Sequence, residues 1–238
     1  MSDAKERGKS NLAAHDATLQ VCEIFKSLQG ESSWSGHLCF FIRLAGCDLH
    51  CSWCDTRYAV EETGMAMTID AIRAEASQAG VKLAVITGGE PLLQAATPLL
   101  AICLAEDGFT VLVETNGAHD ISVLPPPIIR IMDLKTPSSG MSERMDWQNL
   151  ERLRPQDEVK FVIADRFDYE WAREVMREYR LPERCRVLMS AVLGRIEPAT
   201  LADMIVQDDL PVRFQLQMHK IIWPQPFKIL PIHALAHA

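Results

Sequence analysis

Apolar strand-like runs alternate with helical segments along this 238-residue chain, and this alternation limits the possible folds more than any other feature. Strands are predicted over residues 38–44, 83–87, 111–114, 128–134, 158–163, 186–190 and 212–217. Helices are predicted over residues 68–79, 93–106, 147–153, 168–179 and 198–207. Continuous apolar strands separated by helices are typical of a parallel sheet covered by helices. The sequence therefore predicts an α/β fold.

Most of these strands are followed by a small, polar or glycine-rich cluster. In chain order the clusters read CDLHCSWCDT, GGEP, ETNG, DLKTPSSG, SAV and QMHK. Functional groups at the carboxyl ends of successive parallel strands are typical of a barrel-like fold, whereas a doubly wound sheet concentrates its site at one switch point. Because the chain is slightly shorter than the ~250 residues of a full eight-fold barrel, we predict a partial (β/α) barrel of about six parallel strands.

Composition and charge exclude several classes of partner. The net charge is −8 and the basic residues are dispersed, so we predict no nucleic-acid contact. No apolar run reaches the length of a membrane span, and the N-terminal residues lack the apolar region of a signal peptide. We therefore predict a cytoplasmic protein with no membrane partner. Residues 1–17 are predicted to be a flexible extension, and residues 18–238 a single domain.

Three cysteines lie within eight positions, as Cys47, Cys51 and Cys54, with the spacing C-x3-C-x2-C. Three thiolates can hold three irons of a four-iron cluster and leave the fourth iron open to a cofactor or substrate. A zinc site is the alternative, but zinc favours four ligands and usually paired C-x2-C knuckles. Zinc would need His50 or a distant cysteine here. The spacing favours a 4Fe-4S cluster.

The cysteine motif and its flanking segments resemble the radical S-adenosylmethionine (radical SAM) superfamily and, within it, the 7-carboxy-7-deazaguanine synthase family. The resemblance covers about residues 20–226, and the cysteine motif alone would specify only the superfamily. The matching segments are EIF at 23–25, SLQGE at 27–31, FIRLAG at 41–46, CDT at 54–56, TGGEP at 87–91, ETNG at 114–117, DLK at 133–135 and QMHK at 217–220.

The resemblance implies a carbon–nitrogen lyase of queuosine and 7-deazapurine biosynthesis, in a pathway of tRNA modification. The implied reaction contracts the ring of 6-carboxy-5,6,7,8-tetrahydropterin to give 7-carboxy-7-deazaguanine, with loss of ammonia. It begins when a 5′-deoxyadenosyl radical, made from S-adenosyl-L-methionine at the 4Fe-4S cluster, removes hydrogen from C6. The resemblance also implies Mg2+ as a cofactor, a homodimer, and a flavodoxin or ferredoxin as reductant.

The resemblance places the cofactor contacts in the strand-end clusters. The implied cluster ligands are Cys47, Cys51 and Cys54. Contacts with S-adenosylmethionine are implied for Trp53, Cys54, Asp55, Gly88, Gly89, Glu90, Lys135, Ser138, Ser139 and Ser190. Six of these residues have open alternatives. Gly88, Gly89 and Glu90 of GGEP could form an ordinary turn, and Lys135 could form a plain salt bridge with Asp133. Trp53 could shield the cluster, and Asp55 could support the magnesium ligands or be solvated.

The resemblance also implies a set of substrate contacts. The implied substrate-binding residues are Leu28, Gln29, Gly30, Glu31, Arg43, Thr87 and His219. Glu31 can pair with the pterin N–H groups, and Arg43 suits the substrate carboxylate unless it forms a structural salt bridge. His219 is also an implied catalytic residue that donates a hydrogen bond or moves a proton. Thr56 is the implied Mg2+ ligand, with water and substrate oxygens completing the site.

Two segments depart from the family pattern, and two other functions stay open. Ser32 stands where the family commonly has glycine, so the loop after Glu31 could run differently. The apolar tail 227–238 could cap the barrel mouth, contact a second subunit or be disordered. A glycyl-radical-activating enzyme shares the cysteine motif but leaves QGE, CDT and QMHK unexplained. An iron–sulfur electron carrier would close its cluster with a fourth cysteine.

Overall fold

A sheet of nine strands runs through residues 17–223, the part of the chain that the computed structural model describes. The strands are β1 (Thr18–Leu28), β2 (Leu38–Leu44), β3 (Met65–Thr68), β4 (Leu83–Gly88), β5 (Thr110–Thr115), β6 (Ile129–Asp133), β7 (Glu158–Ile163), β8 (Arg186–Ala191) and β9 (Arg213–Phe214). Their order in the sheet is β3-β1-β2-β4-β5-β6-β7-β8-β9. The apolar tail and residues 1–16 of the predicted extension lie outside the described residues.

The parallel part of the sheet forms an open barrel. β2 pairs in parallel with β4, and each later strand pairs in parallel with the next, up to the two-residue β9. The predicted partial barrel is confirmed. β1 and β3 extend the sheet with antiparallel pairs, and the sequence patterns did not predict either strand. Exposed and buried residues alternate at the start of β1, as expected for an antiparallel strand, so it lacks the continuous apolar run that marks a buried parallel strand.

The α-helices lie between the strands along the chain, and the last of them follows β9. They are Arg57–Glu61, Ile69–Gln78, Thr97–Glu106, Arg166–Glu178, Leu181–Arg184, Pro198–Gln207 and Met218–Ile222. Short 3₁₀ helices occupy Pro91–Leu93, Ile121–Val123, Pro137–Ser139, Ser142–Arg144 and Trp147–Leu150. Within residues 17–223, none of the helices is long and apolar enough to cross a membrane.

Three predicted elements were wrong in their extent. The predicted helix 93–106 begins only at Thr97, with a proline in its first turn, where the missing N–H leaves no bond unmade. The predicted helix 147–153 is a single 3₁₀ turn, Trp147–Leu150. The predicted strand 212–217 is reduced to Arg213–Phe214, so His219 lies in the helix Met218–Ile222 instead of at the end of a long strand.

The loop between β1 and β2 accommodates Ser32 in a conformation that favours glycine. Ser32 is buried and has a φ of 65°, in the left-handed region. Its hydroxyl accepts a hydrogen bond from the backbone N–H of Trp34, at 3.1 Å. The backbone conformation therefore explains why glycine suits this position.

We predict that Ser32→Gly changes the free energy of unfolding by no more than about 1 kcal/mol. Relief of left-handed strain, worth about 1–2 kcal/mol, offsets the lost hydroxyl bond and the greater freedom of the unfolded chain. Urea denaturation measures the change. Ser32→Ala is the matched control, because it loses the hydroxyl but keeps the strain, and it should be less stable than Ser32→Gly. The reverse order of stability would contradict this account.

Candidate active site

A layer of polar side chains lines the inside of the open barrel near the carboxyl ends of the strands. An apolar layer lies beneath it, where Phe41, Val85, Leu112 and Ile131 pack together. Because side chains alternate along a strand, residues two positions further along point to the same side. On these strands they are Arg43, Thr87, Glu114 and Asp133, and Lys160 pairs opposite Asp133 on β7. The sheet thus delivers five polar groups to one end of the barrel.

The loop after β2 carries the three cysteines at the same end. All three thiols are partly buried, and burial raises the pKa of Cys51 to about 11, so iron binding must displace a proton. The backbone N–H of Leu49 donates to Cys47 Sγ at 3.4 Å. Within residues 17–223, no three His, Cys, Asp or Glu side chains are spaced to hold one metal ion. A four-iron cluster binds each thiolate to a different iron, so its cysteine ligands need not converge on one metal ion.

The GGEP glycines pack directly against the cysteine loop. A Cβ on Gly88 would lie 2.2 Å from the carbonyl oxygen of Leu44, and one on Gly89 would lie 2.1 Å from that of Gly46. The Gly89 N–H also donates to the Leu44 carbonyl at 3.1 Å. The close approach that glycine permits here is therefore to the chain's own backbone.

We predict that Gly89→Ala displaces the cysteine loop and destabilises the protein by about 3 kcal/mol, at the upper end of overpacking costs. The backbone of Gly46 cannot move aside as a flexible side chain would, so both thermal stability and iron retained after reconstitution should fall. Gly80→Ala is the control, because Gly80 has a φ of 67° but open space around it. It should lose only about 1 kcal/mol and keep its iron. Equal iron retention in both variants would contradict the proposed contact.

Glu90 holds the ETNG segment in place. Its buried carboxylate accepts hydrogen bonds from Leu92 N at 2.9 Å, Thr115 Oγ1 at 2.8 Å and Asn116 N at 2.6 Å. Burial raises the pKa of this carboxyl, although those three bonds oppose the shift. Both carboxylate oxygens thus have partners within the chain, and a contact between Glu90 and S-adenosylmethionine stays a prediction.

The hydroxyls of the two serines after β6, Ser138 and Ser139, donate hydrogen bonds within the chain. Ser138 Oγ donates to Asp165 at 2.9 Å, and Ser139 Oγ donates to the Thr136 carbonyl at 2.6 Å. The Ser139 carbonyl accepts from the backbone N–H of Ser52, which ties this turn to the cysteine loop. The predicted contacts of these hydroxyls with S-adenosylmethionine would require them to exchange or share these partners.

Two buried oxygens at the strand ends lack such partners. Ser190 Oγ and Asp133 Oδ1 make no hydrogen bond with any residue of 17–223. Buried polar atoms in folded proteins are nearly always satisfied, so these atoms mark places where a ligand or water completes the site. Trp53, on the cysteine loop, packs its ring against the small cluster of Val162, Ala164 and Val192 at the neighbouring strand ends.

A network of ion pairs crosses the barrel beside the cysteine loop. Lys160 Nζ lies 2.7 Å from Glu31 and 3.2 Å from Asp133, and Lys135 Nζ lies 3.0 Å from the same Asp133 oxygen. Lys135 also interacts electrostatically with Cys51. The salt bridge left open for Lys135 is therefore present, and it connects through Lys160 to Glu31, a residue predicted to bind substrate.

The network holds its groups charged. Burial raises the pKa of Glu31, but the Lys160 ammonium and the Gln217 side chain outweigh it and bring the pKa below its usual range. Burial also raises the pKa of Asp133, but Lys135 and Lys160 together outweigh it and bring this pKa below its usual range. Burial lowers the pKa of Lys160, yet Asp133 and Glu31 raise it well above its usual value. All three groups are thus ionised at neutral pH.

Asp55 and Thr56 lie at the edge of this network. Asp55 pairs with Lys220 at 2.8 Å, and Lys220 also donates to Gln217, which in turn donates to Glu31. Thr56 is the N-cap of the helix Arg57–Glu61, where a threonine hydroxyl ordinarily accepts a backbone hydrogen bond, but it makes none. Its hydroxyl lies 3.9 Å from Cys54 Sγ. The Thr56 hydroxyl thus makes no bond within its own helix, and its role as a magnesium ligand stays a prediction.

Arg43 forms the structural pair that was its alternative role. Its Nε donates to Glu23 at 2.7 Å, and Tyr58 OH donates to the same oxygen at 2.7 Å. The guanidinium also stacks over the ring of Phe25. The two terminal nitrogens make no hydrogen bond with the described residues, so the pair leaves the fork of Arg43 available for a carboxylate.

Glu114 joins two of the predicted substrate residues, although sequence reasoning gave it no role. It accepts from Gln29 Nε2 at 3.0 Å and from Thr87 Oγ1 at 2.9 Å. Backbone groups predicted to bind substrate have partners within the chain: the Gln29 N–H bonds to His37, and the Gln29 carbonyl to Gly36. Leu28 pairs with Leu38 in the sheet. In the segment 28–31, the backbone groups of Gln29 are therefore already bonded within the chain, and its side chain contacts Glu114.

His219 lies over Gly30 at the mouth of the barrel. A Cβ on Gly30 would be 2.4 Å from His219 Nδ1, and the Gly30 carbonyl accepts from Met218 N at 3.0 Å. Burial lowers the pKa of His219, although Glu31 and Asp55 oppose that shift. A neutral imidazole can donate a hydrogen bond through its N–H and accept a proton at its other nitrogen.

Comparisons with known proteins agree with this arrangement. A sequence profile described as the Radical SAM superfamily matches residues 41–132. The fold is similar to a crystal structure of QueE from Escherichia coli, with a TM-score of 0.72 and 24% identity over 88% of this chain and 98% of that one. This structural likeness concerns the fold alone.

Two sequence relatives align over nearly their whole length. A 7-carboxy-7-deazaguanine synthase of Chlorobaculum tepidum is 42% identical over 211 residues, covering 87% of this chain and 96% of that protein. A 7-carboxy-7-deazaguanine synthase of Koribacter versatilis is 40% identical over 221 residues, covering 86% of this chain and 97% of that protein. With the profile match and the cysteine loop, these alignments show that the chain belongs to the 7-carboxy-7-deazaguanine synthase family of radical SAM enzymes.

Proposed function

We propose that this protein converts 6-carboxy-5,6,7,8-tetrahydropterin to 7-carboxy-7-deazaguanine, with loss of ammonia, in the biosynthesis of queuosine and related 7-deazapurines. The observation that carries the proposal is the unbroken network from Glu31 through Lys160 and Asp133 to Lys135, beside Cys51. It joins the residues implied for substrate to the residues implied for cofactor in one charged, partly enclosed site.

Radical SAM enzymes use a 4Fe-4S cluster and S-adenosyl-L-methionine, and the residues at the barrel mouth fit both. Cys47, Cys51 and Cys54 would hold the cluster, and the unpartnered oxygens of Ser190 and Asp133 suit polar groups of the cofactor. When bound, the cluster and the cofactor supply the radical that removes a hydrogen atom from C6 of the substrate. The residues of the chain would bind and orient the substrate and the cofactor and keep water away from the radical.

The substrate would lie between Glu31 and Arg43. The ionised Glu31 accepts hydrogen bonds, as required to pair with the amino and ring N–H groups of the pterin. The free fork of Arg43 suits the substrate carboxylate in a bidentate geometry. Thr87 and Gln29 would adjust this side of the pocket through their shared partner Glu114. His219, neutral above the site, would donate a hydrogen bond or move a proton.

A magnesium ion at Thr56 would complete the site. One protein hydroxyl is a poor magnesium site by itself, but magnesium keeps several waters and often takes its remaining oxygens from substrate, and these would complete the site. The support is that the Thr56 hydroxyl leaves its helix uncapped. The ion would orient the substrate carboxylate and neutralise its charge, without a redox role.

Three further parts of the proposal rest on the family resemblance. The protein would act in the cytoplasm as a homodimer, and a flavodoxin or ferredoxin would reduce the cluster. Activation of a glycyl-radical enzyme is not favoured, because the two relatives that align over 86% and 87% of the chain are 7-carboxy-7-deazaguanine synthases. The QGE, CDT and QMHK segments, which that activity leaves unexplained, also contact one another: Gln217 donates to Glu31, and Lys220 pairs with Asp55.

An anaerobic assay tests the proposed reaction. Reconstituted protein is incubated with dithionite, S-adenosylmethionine, magnesium and 6-carboxytetrahydropterin, and the products are identified by mass. The proposal predicts 7-carboxy-7-deazaguanine, with a lower rate when magnesium is chelated. Formation of 5′-deoxyadenosine without the deazaguanine would overturn the substrate assignment.

A further inference from the structure

Asn116 holds a fixed orientation beside the cysteine loop. It is 6% exposed, and its backbone N–H is bound by Glu90. The side-chain oxygen accepts from the backbone N–H of Ala118 at 2.9 Å. Because an amide has its acceptor on one side and its donors on the other, this bond turns the NH2 group away from Ala118.

The NH2 group of Asn116 faces Cys47. Its Nδ2 lies 3.8 Å from Cys47 Sγ and 3.5 Å from Asp48 Oδ1. With the Leu49 N–H at 3.4 Å, Cys47 Sγ receives two N–H donors from different parts of the chain. Asn116 is the only side-chain amide among the described residues that bonds to one of the three cysteine sulfurs.

We infer that Asn116 is a positioning residue that makes the cluster easier to reduce, acting through Cys47. Reduction adds negative charge to the cluster and its thiolates, and N–H donors to the sulfurs stabilise the more negative state. Glu90 takes part indirectly, because its bond to Asn116 N fixes the position of the backbone that carries the side-chain amide. The inference rests on the proposed function only in requiring a bound cluster.

The test is the midpoint potential of the cluster in the full chain, without S-adenosylmethionine. Reconstituted protein is titrated anaerobically, and the paramagnetic signal of the reduced cluster is followed by electron paramagnetic resonance. Asn116→Ala removes the donor and should shift the midpoint potential to a more negative value. Asn116→Ser should shift it the same way, because a serine hydroxyl can still accept from Ala118 N but is too short to reach Cys47.

Asn149 provides a matched control. It is also buried, and its Nδ2 donates to the carbonyls of Gly117 at 3.1 Å and His119 at 2.6 Å, in the same loop. Asn149→Ala should lower thermal stability and leave the potential at the wild-type value, because it removes no donor from a sulfur.

The possible results separate this inference from the proposed function. Unchanged potentials in both Asn116 variants would overturn it, and so would an equal shift in Asn149→Ala. If one Asn116 variant fails to fold or to take up iron, the midpoint potential of the other variant tests the inference. Wild-type protein that takes up no cluster under these conditions would overturn the proposed function and this inference together.

Discussion

Replacing Cys51 with alanine is expected to reduce formation of 7-carboxy-7-deazaguanine to the uncatalysed background. Two thiolates cannot hold the cluster as three do, and without it no radical forms to start the reaction. Iron and sulfide content should fall together with the 5′-deoxyadenosine produced. The measurement is product by mass, alongside iron content of protein purified and reconstituted under identical anaerobic conditions.

Cys103→Ala is the matched control for this loss. Cys103 is 6% exposed in the helix Thr97–Glu106, where it packs in the apolar core away from the cysteine loop. Its replacement should cost at most about 1 kcal/mol of stability and leave iron content and product formation near the wild-type level. Product formation by Cys51→Ala at a rate similar to that of Cys103→Ala would contradict the assignment of the cluster.

Lys160→Met is expected to lower the free energy of unfolding at neutral pH by about 3 kcal/mol or more. Lys160 is only 12% exposed and bridges Glu31 and Asp133, which are 14% and 18% exposed in their side chains. Methionine keeps much of the apolar stem but leaves two buried carboxylates without their shared cation. Removal of one partner of a buried ion pair is costly for that reason. Urea denaturation of the variant and the wild type measures the difference.

The difference in free energy of unfolding between Lys160→Met and the wild type should become smaller as the pH falls. In the wild type the pKa values of Glu31 and Asp133 lie below their unfolded values, so the stability they contribute is lost as pH falls through the folded values. In the variant both pKa values should rise relative to the wild type, although Lys135 still lowers that of Asp133, and protonation of the carboxyls relieves the cost of burying them. Both effects act in the same direction, so the largest difference is expected at neutral pH and above.

Lys82→Met separates this effect from the loss of any lysine. Lys82 stacks on the ring of Phe109 at 5.4 Å, at the opposite end of the strands from the cysteine loop. Its replacement should change stability by less than about 1 kcal/mol and show no dependence on acidic pH. A Lys160→Met variant as stable as Lys82→Met at neutral pH would contradict the role given to the network.

The sequence predicted the fold and the location of the site because both depend on local patterns. Apolar runs marked the parallel strands, and the polar clusters after them marked the edge where the strands end. Lys160 was missed, although it is a lysine inside the buried strand EVKFVI, a signal that such a side chain needs a partner. Its partners Glu31 and Asp133 come from distant segments, so sequence spacing could not identify them.

The contacts that GGEP and ETNG make within the chain could not be predicted for the same reason. Glycine at position 89 indicated a close approach, but only the folded chain shows that the approach is to Gly46. Glu114 and Asn116 were noted in a motif without a role, and their contacts with Thr87 and Cys47 cross between strands. The antiparallel strand β1 was missed because polar residues interrupt its apolar run, and β3 was missed because it has only four residues and its first two are exposed.

The most direct test of the central claim is whether the cluster has an open iron that binds S-adenosylmethionine. The electron paramagnetic resonance spectrum of the reduced, reconstituted protein is recorded before and after S-adenosylmethionine is added, with no substrate present. A cluster held by Cys47, Cys51 and Cys54 alone should change its spectrum, because the cofactor becomes a ligand of the fourth iron. A spectrum that stays the same at saturating S-adenosylmethionine would show a closed cluster and contradict the account.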